Sequence, residues 1–175
     1  MLKPGEVMET DRLLLRRYQK KDLKDLYAYL SDPEVLQFEP YLPMDWNETE
    51  KELDRRIASE EMIAAELKAD GTMIGNIYVG SRDFHALEIG YVFHKAYWGR
   101  GYAAEGCRKV IAAAFSNGVH RIYAECDPQN PASWRLLEAL EFEREAHLRE
   151  NVYFRNDAEG HPIWKDTYIY AKRNP

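Results

Sequence analysis

The stretch VFHKAYWGRGYAAEG, residues Val92 to Gly106, decides how this chain is read. An apolar, strand-like run gives way to aromatics, then to two glycines around an arginine, then to a helix-forming segment. Glycines at such a junction let the backbone turn tightly or let another molecule come close. The first turn of the helix beyond them carries N–H groups without intrahelical acceptors, at the positive end of the helix dipole. Such a turn binds a phosphate or pyrophosphate without needing a cationic side chain. For the hexad Trp98 to Ala103 taken alone, an ordinary tight turn is the plain alternative.

Reading outward, ALEIGYVFH alternates, with Leu87, Ile89, Tyr91 and Phe93 on one face and Glu88, Gly90 and Val92 on the other. Upstream, Met62 to Lys68 and TMIGNIYVG read as strands of a hairpin turning at Asp70-Gly71. Downstream, Ala103, Cys107, Val110, Ile111 and Ala114 stripe a helix that ends near Asn117-Gly118. HRIYAEC is the next strand, and a strand–helix–strand unit of this spacing implies a parallel pair. NPASWRLLEALEF is a short helix with Asn130 as N-cap, Pro131 in its first position and Leu136, Leu137 and Leu140 facing inward.

At the start, Arg12 to Tyr18 reads as a strand, and KKDLKDLYAYLSDP as a helix stopped by Asp32-Pro33. The loop FEPYLPMDW leads to a polar helix from about Asn47 to Ser59, with Asn47 as its N-cap. The tail from Glu143 to Lys172 reads as a hairpin around RNDAEGHP. The expected class is α+β, a mixed and mainly antiparallel sheet flanked by helices, in which hairpins surround one parallel crossover.

A chain of 175 residues, 45% hydrophobic, fits one domain, 1–175, better than two. The net charge of -6 argues against a general nucleic-acid binder and tolerates an amine-bearing partner. No opening apolar run resembles a signal peptide and no stretch approaches a membrane span, so a cytoplasmic protein is expected. Cys107 and Cys126 form no CxxC pair, which fits a reducing compartment. No metal is expected, because His85, His94, His120, His147 and His161 show no close ligand spacing.

Rival motifs separate on their details. No GxxxxGK[ST] is present, so a P-loop is excluded, and no GxSxG elbow supports a serine hydrolase. Gly99-x-Gly101-x-x-Ala104 does fit the dinucleotide fingerprint, with Glu125 about where a ribose-binding acid would stand. Against that, HKAYW separates the glycines from the strand, and the preceding chain is rich in hairpins.

The hexad, the preceding EIGYVF and the later NPASWRLLEALEF resemble the GNAT superfamily of acyl-CoA-dependent N-acyltransferases, with its [RQ]xxGx[GA] and NxxSxxLxxxxGF elements. ETDRLLLRRY and WKDTYIYA are similar to the RimJ/RimL-type branch. Trp98 stands where Gln or Arg is usual, and Glu141 where the second element has glycine.

The resemblance implies a parallel strand pair splayed around acetyl-CoA and acetyl transfer to a primary amine. Gly99, Arg100, Gly101, Tyr102, Ala103 and Ala104 would hold the pyrophosphate, with Asn130, Ser133 and the strand residues Tyr91, Val92 and Phe93 as further cofactor contacts. Arg108 and Lys109 could add charge near the phosphates. A lysine-type ammonium, pKa about 10.4, must lose a proton before it attacks. Glu88, on the strand before the hexad, is the expected base, with Glu125 and Asp127 as weaker alternatives. Ser133, one turn before the inward leucines, would donate a hydrogen bond to the CoA thiolate, unless it only caps the helix. An acyl-cysteine route through Cys126 lacks a histidine partner, and direct transfer needs none.

For the acceptor, Phe38, Tyr41 and Trp46 with Glu39 and Asp45 could pack around an amine, or simply anchor their loop. The branch resemblance favours a protein or peptide N-terminal α-amine, of ribosomal-protein type, over a polyamine or antibiotic. A non-catalytic acyl-CoA-binding module is the alternative of another kind. Monomer and homodimer both remain open.

Overall fold

The computed structural model describes residues 5–175, so the first four residues of the opening segment lie outside it. Along the chain run β1 (Val7–Glu9), β2 (Leu13–Arg16), a 3-10 turn (Lys20–Asp22), α1 (Leu23–Leu30), α2 (Trp46–Ala58), β3 (Met62–Leu67), β4 (Met73–Arg82) and β5 (Ala86–Phe93). A second 3-10 turn (Lys95–Tyr97) precedes α3 (Tyr102–Ser116), β6 (Arg121–Cys126), α4 (Pro131–Ala139), β7 (Glu143–Asn156) and β8 (Pro162–Arg173). The eight strands form one sheet in the order β1-β2-β3-β4-β5-β6-β8-β7. Every neighbouring pair is antiparallel except β5 and β6.

That exception positions the site. β5 and β6 pair only over Ala86–Glu88 and Arg121–Tyr123. Past those residues β5 stays bonded to β4 as far as Phe93, and β6 to β8 as far as Cys126. Each strand is therefore held on its outer side while the inner edges part, leaving main-chain groups of Ile89–Phe93 and Ala124–Cys126 facing a gap.

The alternation of β5 sorts its side chains as expected. Ile89 and Phe93 join the core beneath α3 and α4, with Leu13, Leu15, Ile77, Val110, Ile111 and Leu137. Val92 joins the opposite core beneath α1 and α2, with Leu26, Tyr29, Leu30, Leu53 and Met73. Around β3 and β4 the sheet is covered on both faces, which is why β3 is buried along its whole length and the helical propensity of its sequence loses to packing.

Two boundaries differ from the sequence reading. The N-cap of α2 is Asp45, not Asn47: Asp45 accepts from the Glu48 N–H at 2.8 Å, and Glu48 accepts from the Asp45 N–H at 2.8 Å. This reciprocal D-x-x-E box satisfies two donors where a lone Asn47 would satisfy one. The first long strand is shorter than Arg12–Tyr18, because Arg12 turns its N–H to Glu105 at 2.9 Å.

Candidate active site

The glycine hexad has the backbone geometry that an anion cradle needs. Gly99 and Gly101 have φ of +71° and +80°, a region in which a β-carbon is strained. Among the described residues, the main-chain N–H groups from Gly99 to Ala104 have no protein acceptor, and hydrogen bonding resumes when the Glu105 N–H donates to the Gly101 carbonyl at 3.0 Å. The Trp98 indole N–H donates to the Phe93 carbonyl at 2.7 Å, tying the loop to the end of β5. This gives the departure at Trp98 a structural role. Arg100 stands outside, with its guanidinium 5.9 Å from the centre of the Tyr97 ring.

A brace that sequence reasoning missed crosses from the chain start. Glu105, in the first turn of α3, accepts from Thr10 Oγ1 at 2.6 Å and from Arg12 Nε at 2.6 Å, while Arg12 Nη1 donates to the Arg100 carbonyl at 3.0 Å. Arg12 also lies 4.2 Å over the Tyr102 ring. Burial would raise the Glu105 carboxyl, but the bonds from Thr10 and Arg12 outweigh it and hold the group below its usual range. Arg12 thus offsets a negative charge beside the anion cradle. Arg12→Ala is expected to weaken CoA binding about tenfold, near 1.4 kcal/mol, with Arg12→Ala/Glu105→Gln recovering part of the loss in a calorimetric titration.

At the splay, the Tyr91 hydroxyl donates to the Ser133 carbonyl at 2.9 Å and lies 3.1 Å from Ser133 Oγ. Burial raises the Tyr91 pKa, so the phenol keeps its proton. Asn130 Oδ1 accepts from the Ser133 N–H at 3.2 Å, so the cap of α4 is Asn130 and the Ser133 hydroxyl is not consumed by capping. Val92 and Phe93 turn their side chains into the two cores and leave only main chain for a cofactor. The Cys126 thiol is pushed up to about 12, first by burial and then by Asp127, and is not a thiolate at neutral pH.

A cleft of about 700 Å³ opens from the splay between the α1–α2 loop, α2 and the ends of β6 and β8, lined by Tyr91 and Ser133 on one side and by Glu39, Arg56, Glu88 and Glu125 among others. Glu88 is on this cleft, as expected, but its carboxylate is ion-paired with Arg82 Nη2 and lies 3.5 Å from the Tyr123 hydroxyl. The carboxylate is thus already engaged by a guanidinium and a phenol. Asp127 is paired with Lys165 at 2.5 Å and Glu52 with Arg55 and Arg56 at 2.7 Å each. Among the described residues Glu125 and Glu39 have no ion-pair partner, and both carboxyls are raised. Burial, then the charge of Glu88, raises Glu125. Burial raises Glu39 to about 7 against a hydrogen bond from Tyr41. The buried Arg56 guanidinium forms the floor, with Nη1 donating to Tyr18, Tyr29 and Asn76 at 3.0, 3.1 and 2.9 Å.

The sequence reading weighed only spacings among the histidines, and the fold adds one mixed group. Asp157, Glu159 and His161 approach within 4.8 Å of one another on the β7–β8 turn. Asp157 there accepts from the N–H groups of Glu159 and His161, which explains the grouping as turn geometry. None of the described helices is long and apolar enough to cross a membrane.

A mixed sheet whose parallel pair opens beside a helix N-terminus with free N–H groups, over a carboxylate-lined cleft, is the arrangement that the family comparison assigns to a class. Residues 12–143 match the family model described as Acetyltransferase (GNAT) domain, and the chain belongs to that family. It is an acyl-CoA-dependent N-acetyltransferase, which sets aside the dinucleotide reading and the non-catalytic module.

The uncharacterized N-acetyltransferase YoaA of Bacillus subtilis is 30% identical over 184 residues, covering 97% of each chain. A GNAT-family acetyltransferase structure from Bacillus anthracis is 26% identical, with a TM-score of 0.88 over 97% of this chain and 99% of that one. More distant structures share the fold alone. They include the ribosomal L7/L12 α-N-protein acetyltransferase RimL, solved with CoA, at 19% identity and TM-score 0.81 over 96% of this chain and 98% of that one. Another is the Vibrio cholerae spermidine N-acetyltransferase, solved with CoA and spermine, at 18% and 0.77 over 94% and 97%.

Proposed function

We propose that residues 1–175 act as a single N-acetyltransferase domain that moves the acetyl group of acetyl-CoA directly to a protein or peptide N-terminal α-amine, in the manner of the RimJ/RimL-type branch. The observation that carries this reading is the parting of β5 and β6 past Glu88 and Tyr123, with the glycine cradle at one end and the carboxylate-lined cleft at the other. Gly99 to Ala104 bind the pyrophosphate, and the free inner edge of β5 at Tyr91, Val92 and Phe93 aligns the pantetheine arm. Asn130 holds α4 so that Ser133 faces the thioester.

When the amine attacks, the C–S bond breaks and its electron pair leaves on sulfur. The hydroxyls of Ser133 and Tyr91, both protonated at neutral pH, donate to that thiolate. The protonated Cys126 favours direct transfer over an acyl-cysteine. Glu88 and Glu125 supply negative charge that draws an ammonium group into the cleft. An α-amine, pKa about 7.7, needs less help in losing its proton than a lysine.

One observation favours the second reading, a polyamine acceptor: among the described residues two cleft carboxylates, Glu39 and Glu125, have no ion-pair partner, and a polycation would serve both. Turnover of acetyl-CoA with a serine-starting peptide and with spermidine separates the two by their kcat/KM ratio. A thermal-shift titration with acetyl-CoA, CoA and NADH tests the donor. At 100 times its dissociation constant, a ligand stabilises the fold by about 2.7 kcal/mol, so a shift with NADH alone would reject the cradle assignment.

Ser133→Ala is expected to lower kcat about tenfold, one hydrogen bond to a charged group. CoA affinity and the melting temperature should stay unchanged, because Asn130 and not Ser133 caps α4. A lower melting temperature with unchanged turnover would leave Ser133 only a structural role.

A further inference from the structure

Acetylation of an ammonium releases one proton to a base before attack and passes a second to the departing sulfur. We propose that Glu39, on the loop between α1 and α2, takes the first of these protons, in place of Glu88. The inference rests on the acyl-transfer reading above.

Position and pairing carry it. Glu39 is half-buried and lines the same cleft as Tyr91 and Ser133, so it shares the space into which the thioester carbonyl would project. The competing carboxylates are engaged or displaced. Glu88 is bound by Arg82, Asp127 by Lys165, and Glu52 by Arg55 and Arg56. Glu125 is unpaired but stands exposed on β6, next to the negative charge of Glu88. Among the described cleft carboxylates, Glu39 combines partial burial with the absence of an ion-pair partner, and its contact is the neutral hydroxyl of Tyr41.

The groups facing it are few in kind. Tyr41 comes from its own loop. On the same cleft stand Arg55 and Arg56 of α2 with their partner Glu52, Tyr78 of β4, Tyr91 and the paired Glu88 of β5, Glu125 and Cys126 of β6, and from β8 Lys165, bound to Asp127, and Asp166, bound to His147. Arg56 lowers the Glu39 carboxyl but is outweighed by burial, leaving the group near 7, where it is both half-ionised and strong enough as a base. The loop whose aromatics, with Glu39 and Asp45, the sequence offered for packing around an amine thus also brings that amine a base.

The step balances as follows. The ammonium gives a proton to the Glu39 carboxylate, and the freed nitrogen lone pair forms the C–N bond at the thioester carbonyl. The oxyanion collapses, the C–S bond breaks, and the electron pair goes to sulfur. The remaining extra proton on nitrogen passes to that thiolate by way of the Ser133 and Tyr91 hydroxyls. Products are the amide and CoA thiol, and Glu39 returns its proton to solvent.

The test measures kcat/KM from pH 5.5 to 10 for the wild type, Glu39→Gln and Glu88→Gln, each with a serine-starting peptide, spermidine and Nα-acetyl-lysine as acceptors. CoA titrations accompany each variant. Glu39→Gln should lower kcat/KM about 100-fold at pH 7 with CoA affinity kept, lose the acidic limb near 7, and close much of the gap as the amine deprotonates by itself above pH 9. Glu88→Gln should lose less and keep the limb. An unchanged profile in Glu39→Gln, or loss of the limb in Glu88→Gln, overturns the assignment and leaves acyl transfer standing. Binding of CoA without turnover of any of the three amines overturns the assignment together with the acyl-transfer reading itself.

Discussion

Gly101→Val is expected to reduce the affinity for acetyl-CoA by about 100-fold or more while the protein stays folded. At φ of +80° a β-branched residue is strained by roughly 1–2 kcal/mol. The loop is exposed, so it would relieve that strain by rotating its peptide units rather than by unfolding. Rotation re-aims the N–H groups that the cradle depends on. A hydrogen bond to a charged group is worth about 1.5–3 kcal/mol, so losing two costs about 3–6 kcal/mol, which is 100-fold or more. Strain adds to that. The new side chain would also stand about where Arg12 Nη2 lies, 3.5 Å from a β-carbon built on Gly101, and disturb the Arg12–Glu105 brace. Calorimetric titration with CoA reads the loss, and circular dichroism checks the fold. Wild-type affinity in Gly101→Val would mean that the phosphates bind elsewhere.

Arg16→Met should cost about 3–5 kcal/mol of stability, the largest effect expected of any single exchange away from the cleft. Arg16 is 5% exposed and its guanidinium serves two buried carboxylates, with Nη2 at 2.7 Å from Asp22 and 2.5 Å from Glu66. Methionine fills the volume but leaves both acids without that partner, and an uncompensated buried charge is the costly part. Lys21 still reaches Glu66 at 2.7 Å, whereas Asp22 keeps only the Gln19 N–H at 2.8 Å.

In the wild type, burial would raise the Glu66 carboxyl, but bonds from Lys21 and Arg16 outweigh it and leave the group below its usual value. A lowered carboxyl contributes its stability above the unfolded pKa, about 4.3, and loses it as the pH falls through the lowered value. Arg16→Met should therefore be hurt most at neutral pH and approach the wild type in acid. Urea titrations at pH 7 and pH 4 measure both, and a loss under about 1 kcal/mol at pH 7 would show that the triad is not a net stabiliser. Because Asp22 begins α1, the variant should also loosen the loop that carries Glu39.

Much of the sheet was legible because its signals are local. The Asp70-Gly71 turn, the alternation of β5, the stripe of α3 and the Asn130-Pro131 start of α4 each follow from residues within one element. Glu141 is instructive. The family element has glycine there, and the structure places Glu141 just past α4 with φ of +64°, so the position still demands the left-handed conformation. Its carboxylate bonds to Lys172 at 2.7 Å, a partner on β8 that no helix-end rule could name. The missed N-cap of α2 was, by contrast, readable, since Asp45 and Glu48 carry the capping-box spacing.

The sequence by itself determined the strand–helix junction at Gly99 and Gly101, the order of the longer elements from β2 onward though not the edge strand β1, and the parallel crossover, because backbone strain and apolar periodicity are written into neighbouring residues. Only the tertiary structure decided which charges meet. Arg12 and Glu105 are 93 residues apart, Arg16 and Glu66 are 50 apart, and Glu39 reaches the cleft through a loop without periodicity. Glu88 is a different case: its partner Arg82 is only six residues away across the β4–β5 turn, a pairing that the hairpin register makes and that the sequence reading left out. The distant pairings depend on where whole elements pack, and a carboxylate's strength as a base depends on its pairings.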